Sequence, residues 1–513
     1  MRGWLGADSA RGRLAVDLAF AAGLGALQTV AYVETAFWPL QMLAVALLAW
    51  RVGGASAWRA AALGLAFGTA WLGAGTWWLF VSMHRYGGLP AWLAALAVLA
   101  LSVFLSLYLA AAMMAAARWR PRGPLRGALV FAAAWLLAEL ARGLIFTGFP
   151  WVASGYAHVD SPLAGLAPWV GAYGIGAVAA GLAAAFGFSR LGNLRAWLAP
   201  SAALLATLVL GAFAGNVEFT RPTGSLRVTL LQGNVPQDEK FSLRYVPQAL
   251  ELTAAQLEAA RGDLVVGPET VVPMLPSQLD PKWWQAVLDR FRAPDRAALI
   301  GVPLGDEDAG YTNSAIGISA ASARLPGGFY RYDKHHLVPF GEFIPTGFHW
   351  FTRLMDIPLG DFNRGPLVAP SFVVKGERVA PNICYEDLFG EELAARFITE
   401  AAAPTILANI SNIGWFGETI AVPQHLQISR MRSLELQRPM IRATNTGATV
   451  VIDHRGVVTA SLAPFTRGEL EASVEGRSGT TPFAWWAGRF GLGPLVLLGA
   501  LTLAIAFASR RRP

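Results

Sequence analysis

Seven apolar stretches, at about 14–33, 36–50, 60–82, 91–117, 127–147, 163–189 and 196–215, occupy the first 219 residues, and an eighth lies at about 484–508. Most reach the ~20 residues that an α-helix needs to cross ~30 Å of hydrocarbon; the second is the shortest. A chain built this way has few choices. Inside a bilayer no water can satisfy a backbone N–H or C=O, so each segment must close its own hydrogen bonds as a helix. Only 15% of the residues are charged, against about a quarter in soluble domains. The first stretch is read as a retained helix rather than a cleaved leader, because six more follow it and no small-residue cleavage site closes it.

The arginines orient these segments. Arg2, Arg11, Arg13, Arg51, Arg59, Arg118, Arg120, Arg122, Arg126, Arg190, Arg195, Arg510, Arg511 and Arg512 fall on one set of ends, and the opposite short loops carry Arg85. This alternation requires all eight spans. It predicts that both termini face the cytoplasm and that the polar middle, between spans seven and eight, lies on the other side of the membrane. By charge the chain splits into 1–219 at +7, 220–480 at −4 and 481–513 at +4. The excess positive charge is therefore a membrane-topology signal. No basic domain exists, which argues against nucleic acid as a partner. Within span five, Glu139 and Arg142 share a helix face, either as a structural ion pair or in contact with a lipid headgroup. Trp77, Trp78, Tyr86, Trp151 and Tyr156 at the outer ends read as interface anchors.

Between about 224 and 475 the pattern changes to strands alternating with helices. Strands are predicted at 225–235, 263–270, 297–305, 313–319, 378–383 and 404–411, and after the helix at 423–437; other helices are predicted at 245–261, 281–293 and 391–400. That alternation predicts a layered α/β domain. The domains are expected at 1–219, 220–480 and 481–513.

Three strand-end segments carry candidate chemistry. Glu269 closes LVVGPE, Lys334 lies in YRYDKHHLVPFGEFIP, and Cys384 follows VAPNI. Side chains at strand ends leave the core of an α/β sheet for a cleft. Cys384 is the single cysteine, so no intrachain disulfide can form; it stands among polar residues, unlike a packed core thiol. A carboxylate base can deprotonate such a thiol, and a lysine favours the thiolate and can stabilise an oxyanion. His335 and His336 lack a third ligand, so no metal site is expected. His425 reads as structural.

The Glu–Lys–Cys order, with QGNVPQ (232–237), VGPE (266–269), KHHLVPFGEFIP (334–345), NICYED (382–387) and NISNIGWFG (409–417), resembles the nitrilase, or carbon–nitrogen hydrolase, superfamily. With eight spans around it, the whole chain is similar to the membrane-embedded apolipoprotein N-acyltransferases of bacteria. That resemblance implies an α-β-β-α sandwich, with Glu269 as general base, Lys334 as oxyanion stabiliser and Cys384 as nucleophile. Glu342 would support them, and Tyr385 and Glu386 would line the site. It also implies a ping-pong transfer of an acyl chain from a membrane phospholipid, usually phosphatidylethanolamine, through a Cys384 thioester. The acceptor would be the N-terminal amine of a diacylated apolipoprotein, and no cofactor or metal would be needed. The setting would be the bacterial inner membrane, with the catalytic domain periplasmic. Phe241 stands where the family commonly has Trp, and Ile413 where it commonly has Asp; neither position is a catalytic candidate.

Both substrates are then anchored in a bilayer, and exposing an acyl chain to water costs ~0.8 kcal/mol per CH₂. Segment 347–365, with Phe348, Trp350, Phe351, Leu354, Met355 and Phe362 among charges, is expected either to be a mobile amphipathic lid or to pack on the domain surface. Trp415 and Phe416 are candidates for a second wall or for core packing. Two other readings remain: a membrane-anchored amidase that hydrolyses a small amide with the same three residues, and a transporter, which would require paired intramembrane charges beyond Glu139 and Arg142.

Overall fold

The computed structural model describes residues 2–190, 192–345 and 361–511, with side chains from residue 12 to residue 510. Of the lid candidates, Phe348, Trp350, Phe351, Leu354 and Met355 lie outside the described residues. The chain forms two compact units, one comprising 1–79, 91–217 and 492–513, the other 80–90 and 218–491.

The first unit is helical: α1 (Arg2–Leu27), α2 (Trp38–Gly53), α3 (Ala57–Thr76), α4 (Ala91–Trp119), α5 (Pro124–Leu144), α6 (Ala167–Gly187), α7 (Arg195–Ala214) and a last helix, Gly493–Arg511. Among the described residues seven helices are long and apolar enough to cross a membrane; α3 is not one of them. Its composition explains the difference. A Cβ on Gly64 would meet the Leu109 carbonyl at 2.9 Å, and one on Gly68 would meet the Ser106 Cβ at 2.9 Å. Small residues four apart let α3 lie against the α4 backbone, the usual basis of close helix packing in membranes. The same glycines lower its apolarity.

Glu139 and Arg142 are both buried. Arg142 pairs with Glu139 at 3.3 Å and donates to the carbonyls of Phe149 and Trp151 at 3.1 and 2.6 Å. Glu139 also accepts from the Ser154 N–H at 2.7 Å and the Trp135 indole at 3.2 Å. Of the two roles open for this pair, the contacts are those of a structural staple between α5 and the following loop. Glu139→Ala would strand a buried guanidinium, which costs about 3–5 kcal/mol. The variant should therefore unfold at clearly lower denaturant than the parent in detergent, and an unchanged midpoint would refute this role. Trp78, Trp151 and Tyr156, expected as interface anchors, are instead buried. Trp78 and Trp151 pack ring to ring at 4.7 Å, and the Trp78 indole donates to the Gly75 carbonyl. Packing within the bundle takes these rings because each finds apolar contact and, for Trp78, a partner for its N–H.

Among the described residues the second unit holds two six-stranded sheets. The first is built from β1 (Thr220–Gln232), β2 (Leu264–Val266), β3 (Ala297–Asp306), β4 (Gly310–Ser319), β5 (Tyr330–Asp333) and β12 (Gly468–Gly479), in the order β12-β1-β2-β3-β4-β5. The second contains β6 (Phe372–Val374), β7 (Glu377–Ile383), β8 (Ile406–Ser411), β9 (Met440–Thr444), β10 (Val450–Ile452) and β11 (Val458–Ser461), in the order β11-β10-β9-β8-β7-β6. Strands β1, β2 and β3 run parallel, as do β7, β8 and β9.

Alternation along each strand sorts side chains between two cores. Val228, Leu230, Leu264, Val266 and Leu299 meet Ile383, Ile406, Ile410 and Ile441 between the sheets. Leu231, Val265, Ala298 and Ile300 point the other way, onto Leu257 of α8 (Val246–Ala259) and Val287, Leu288 and Phe291 of α9 (Pro281–Arg292). A strand buried on both faces must be apolar throughout, which is why LRVTLLQ and AALIGV read as nearly continuous runs. On the second sheet, α10 (Ala421–Leu436) packs against β9. The short strands β5 and β6 escaped the sequence reading because four and three residues carry no usable periodicity. The segment 80–90 belongs to this unit: Arg85 pairs with Asp238 at 2.7 Å, and Tyr86 lies edge-on to Trp415 at 5.8 Å.

Candidate active site

The parallel strands end on one side of the sheets, and the loops that leave them carry the candidate groups. Glu269 follows β2, Lys334 follows β5 and Cys384 follows β7. Glu269 is 7% exposed and Lys334 1% exposed. The Lys334 ammonium stands 3.4 Å from Glu269 Oε1 and 2.9 Å from Glu342 Oε1. Asn313, on β4, donates to the same two oxygens at 2.8 and 2.6 Å. The main-chain N–H of Asn412, just beyond β8, donates to Glu269 Oε2 at 2.8 Å, and that of Val338 to Glu342 Oε2 at 2.8 Å. One ammonium and one amide thus clamp two buried carboxylates. Asn313 and Asn412 were not among the residues singled out in the sequence; their only sign there was a polar residue within an apolar strand or at its end.

These contacts set the protonation states. Burial pushes the Glu269 carboxyl up, but Lys334, the Asn313 amide, Lys240 and the Asn412 N–H together outweigh it and hold Glu269 below the usual carboxylate range. Burial alone would weaken the Lys334 ammonium, yet Glu342 and Glu269 raise it above an ordinary lysine. Cys384 is partly accessible. Crowding around its thiol, with the Glu269 charge nearby, pushes the thiol up to about 12, Lys334 opposing. The resting site is therefore a neutral thiol, an ionised carboxylate and a charged lysine. Such a trio suits base-assisted attack, in which the thiol loses its proton as it bonds to carbon.

Cys384 sits at a sharp turn, with φ of 53°, in the left-handed region that non-glycine residues seldom occupy. Two buried groups hold its carbonyl. Asn409 Nδ2 donates to it at 3.4 Å, and His425 Nε2 lies 3.2 Å away. Since Arg442 can only donate, the 3.1 Å contact from its guanidinium requires His425 Nδ1 to accept, so Nε2 carries the proton and donates to Cys384. Burial and Arg442 keep His425 well below an ordinary histidine, hence neutral. His425 is structural in a specific sense: it fixes the turn that presents the thiol.

Glu386 is held in place by its own hydrogen bonds. Its carboxylate accepts from the Tyr332 hydroxyl at 2.9 and 2.8 Å, the N–H of His335 at 2.7 Å and of His336 at 3.3 Å, and the Ile383 N–H at 2.6 Å. It ties the Lys334 loop to the Cys384 turn. Tyr385 is buried and packs on His336 and Phe389. Phe241 stacks on Trp415 at 5.9 Å, and Phe416 is half-buried beside it in sequence. Ile413 is buried. The imidazoles of His335 and His336 bond the Gly365 carbonyl and Glu392, respectively.

Comparison with known proteins adds family context. Residues 24–185 match the model of the apolipoprotein N-acyltransferase N-terminal domain, and residues 227–482 that of carbon–nitrogen hydrolases. The apolipoprotein N-acyltransferase of Verminephrobacter eiseniae is 54% identical over 478 residues, 89% of each chain. Those of Ralstonia nicotianae and Bordetella bronchiseptica are 48% and 44% identical, covering 98% and 93% of this chain and 95% and 92% of theirs.

Proposed function

Because the chain belongs to the apolipoprotein N-acyltransferase family, we propose that Glu269, Lys334 and Cys384 acylate lipoproteins by a two-step transfer. In the first step Glu269 takes the thiol proton as the sulfur attacks the ester carbonyl of a phospholipid. Lys334 Nζ holds the tetrahedral oxyanion, and the lysophospholipid alkoxide leaves with the proton that Glu269 returns. The enzyme then carries a Cys384 thioester. In the second step the neutral α-amine of a diacylated N-terminal cysteine attacks the thioester, giving its proton to Glu269. The C–S bond breaks, Cys384 recovers a proton from Glu269, and the product is an amide.

The clamp formed by Lys334, Asn313, Glu269 and Glu342 carries this reading: it provides an ionised base beside a neutral thiol. Glu342 keeps Lys334 charged and oriented. Splitting the transfer spares the enzyme from binding two bilayer-anchored substrates at once. Phosphatidylethanolamine is the proposed donor. The arginine asymmetry supports a bacterial inner-membrane protein with both termini cytoplasmic and the domain at 220–480 periplasmic, followed by the last membrane helix.

The test is to load the full-length protein with phosphatidylethanolamine carrying a labelled sn-1 chain, then add a diacylated lipopeptide with a free amine. Label should pass to the lipopeptide as a hydroxylamine-resistant amide, and release of labelled fatty acid to water should be minor. Predominant release to water, with no amide, would instead favour the amidase-like hydrolase.

A further inference from the structure

Lys240 ends a short helix, Gln237–Lys240, and is 4% exposed. Its ammonium donates to the main-chain carbonyl of Glu269 at 2.8 Å. That is its one hydrogen bond among the described residues, and no carboxylate pairs with it there. A buried ammonium in that position is expensive, and a neutral side chain would fill the space at lower cost. Its charge, however, falls on two groups that the reaction uses, Glu269 and Cys384.

We propose that Lys240 is a positioning residue for the transfer described above: it anchors the end of the strand that presents Glu269, and its charge keeps that base ionised and eases formation of the thiolate. The proposal rests on the acyl-transfer reading only for the identity of the reaction; the electrostatic effect is local. Every neighbour of Glu269 enters the balance. Lys334 and Lys240 favour its anion, as do the Asn313 amide and the Asn412 N–H, while burial opposes it. Glu342 pairs with Lys334 and accepts from the Asn313 amide. On the helix of Lys240 itself, Asp238 is engaged by Arg85. Removing one cation thus leaves Glu269 easier to protonate, so activity should fail at a higher pH as the solution is acidified.

Three variants separate charge from hydrogen bond: Lys240→Gln keeps a donor without charge, Lys240→Arg keeps the charge, and Lys240→Met keeps neither. Full-length protein in detergent would be assayed from pH 3.5 to 8.5 in two ways: thioester formation from phosphatidylethanolamine, and alkylation of Cys384 by iodoacetamide, which needs no lipid. Loss of a nearby cation moves a carboxylate by about one pKa unit or more. In Lys240→Gln and Lys240→Met the acid limb should shift upward accordingly, so that rates at the foot of that limb fall about tenfold relative to the plateau; Lys240→Arg should keep the parental limb. A parental profile in Lys240→Gln would overturn the charge role, and so would coincident profiles in all variants. If Lys240→Met does not fold, the Gln and Arg pair still decides the question. Absence of any thioester in the parent, with shifted alkylation profiles, would refute the acyl-transfer reading and leave the role of Lys240 intact.

Discussion

Cys384→Ala is expected to abolish acyl transfer: incubation with phosphatidylethanolamine should give the parent, but not the variant, a hydroxylamine-sensitive mass increase of one acyl chain. Loss of a covalent nucleophile in other enzymes costs about 10⁶-fold in kcat, and a comparable loss is expected here. The substitution suits the question because alanine retains a Cβ at the turn, and the carbonyl contacts from Asn409 and His425 involve only the main chain. The variant should therefore match the parent in its unfolding midpoint. Retained transfer in the Ala variant, without an adduct, would end the covalent mechanism.

Glu269→Gln is the second large effect, and its signature is a change of slope. With the thiol pushed up to about 12, Cys384 is neutral at pH 7, so the parent depends on its base. Glu269 is held below the usual carboxylate range, so it is fully ionised above pH 6, and the parental rate should be nearly flat between pH 6 and 8. Glutamine cannot accept the proton. Its neutrality also removes a charge that raised the thiol, but burial, the larger cause, remains, so the thiol stays alkaline. Thioester formation in the variant should then rise about tenfold per pH unit across this range, from a rate at least about 10³-fold below the parent at pH 7. A flat profile in Glu269→Gln would show that Cys384 is ionised without Glu269 and that the base lies elsewhere.

Much of the architecture is legible in the sequence because it depends on near neighbours. A span needs some twenty apolar residues in a row, and strands buried on both faces need unbroken runs such as LVV and ALIGV. Cys384, Glu269 and Lys334 stood out because a nucleophile, a base and a cation followed strand-like segments. The misreadings have physical reasons as well. Trp78 and Trp151 resemble interface anchors in one dimension, but their rings find each other across some seventy residues. Glu386 lies two residues from Cys384 in sequence, and only the fold brings four groups onto its carboxylate, the Tyr332 hydroxyl and the N–H of Ile383, His335 and His336, making it a brace between two loops.

The amino-acid sequence alone thus determined the membrane helices and the layered domain and pointed to the candidate trio, since composition, periodicity and charge act over a few residues. Only the tertiary structure decided how that trio is set for chemistry. Asn313 reaches Glu269 from 44 residues away, the Asn412 N–H from 143 and Lys240 from 29. The protonation of a buried carboxylate is the sum of such distant charges and dipoles in a poorly screened interior, and no local pattern in the chain encodes that sum.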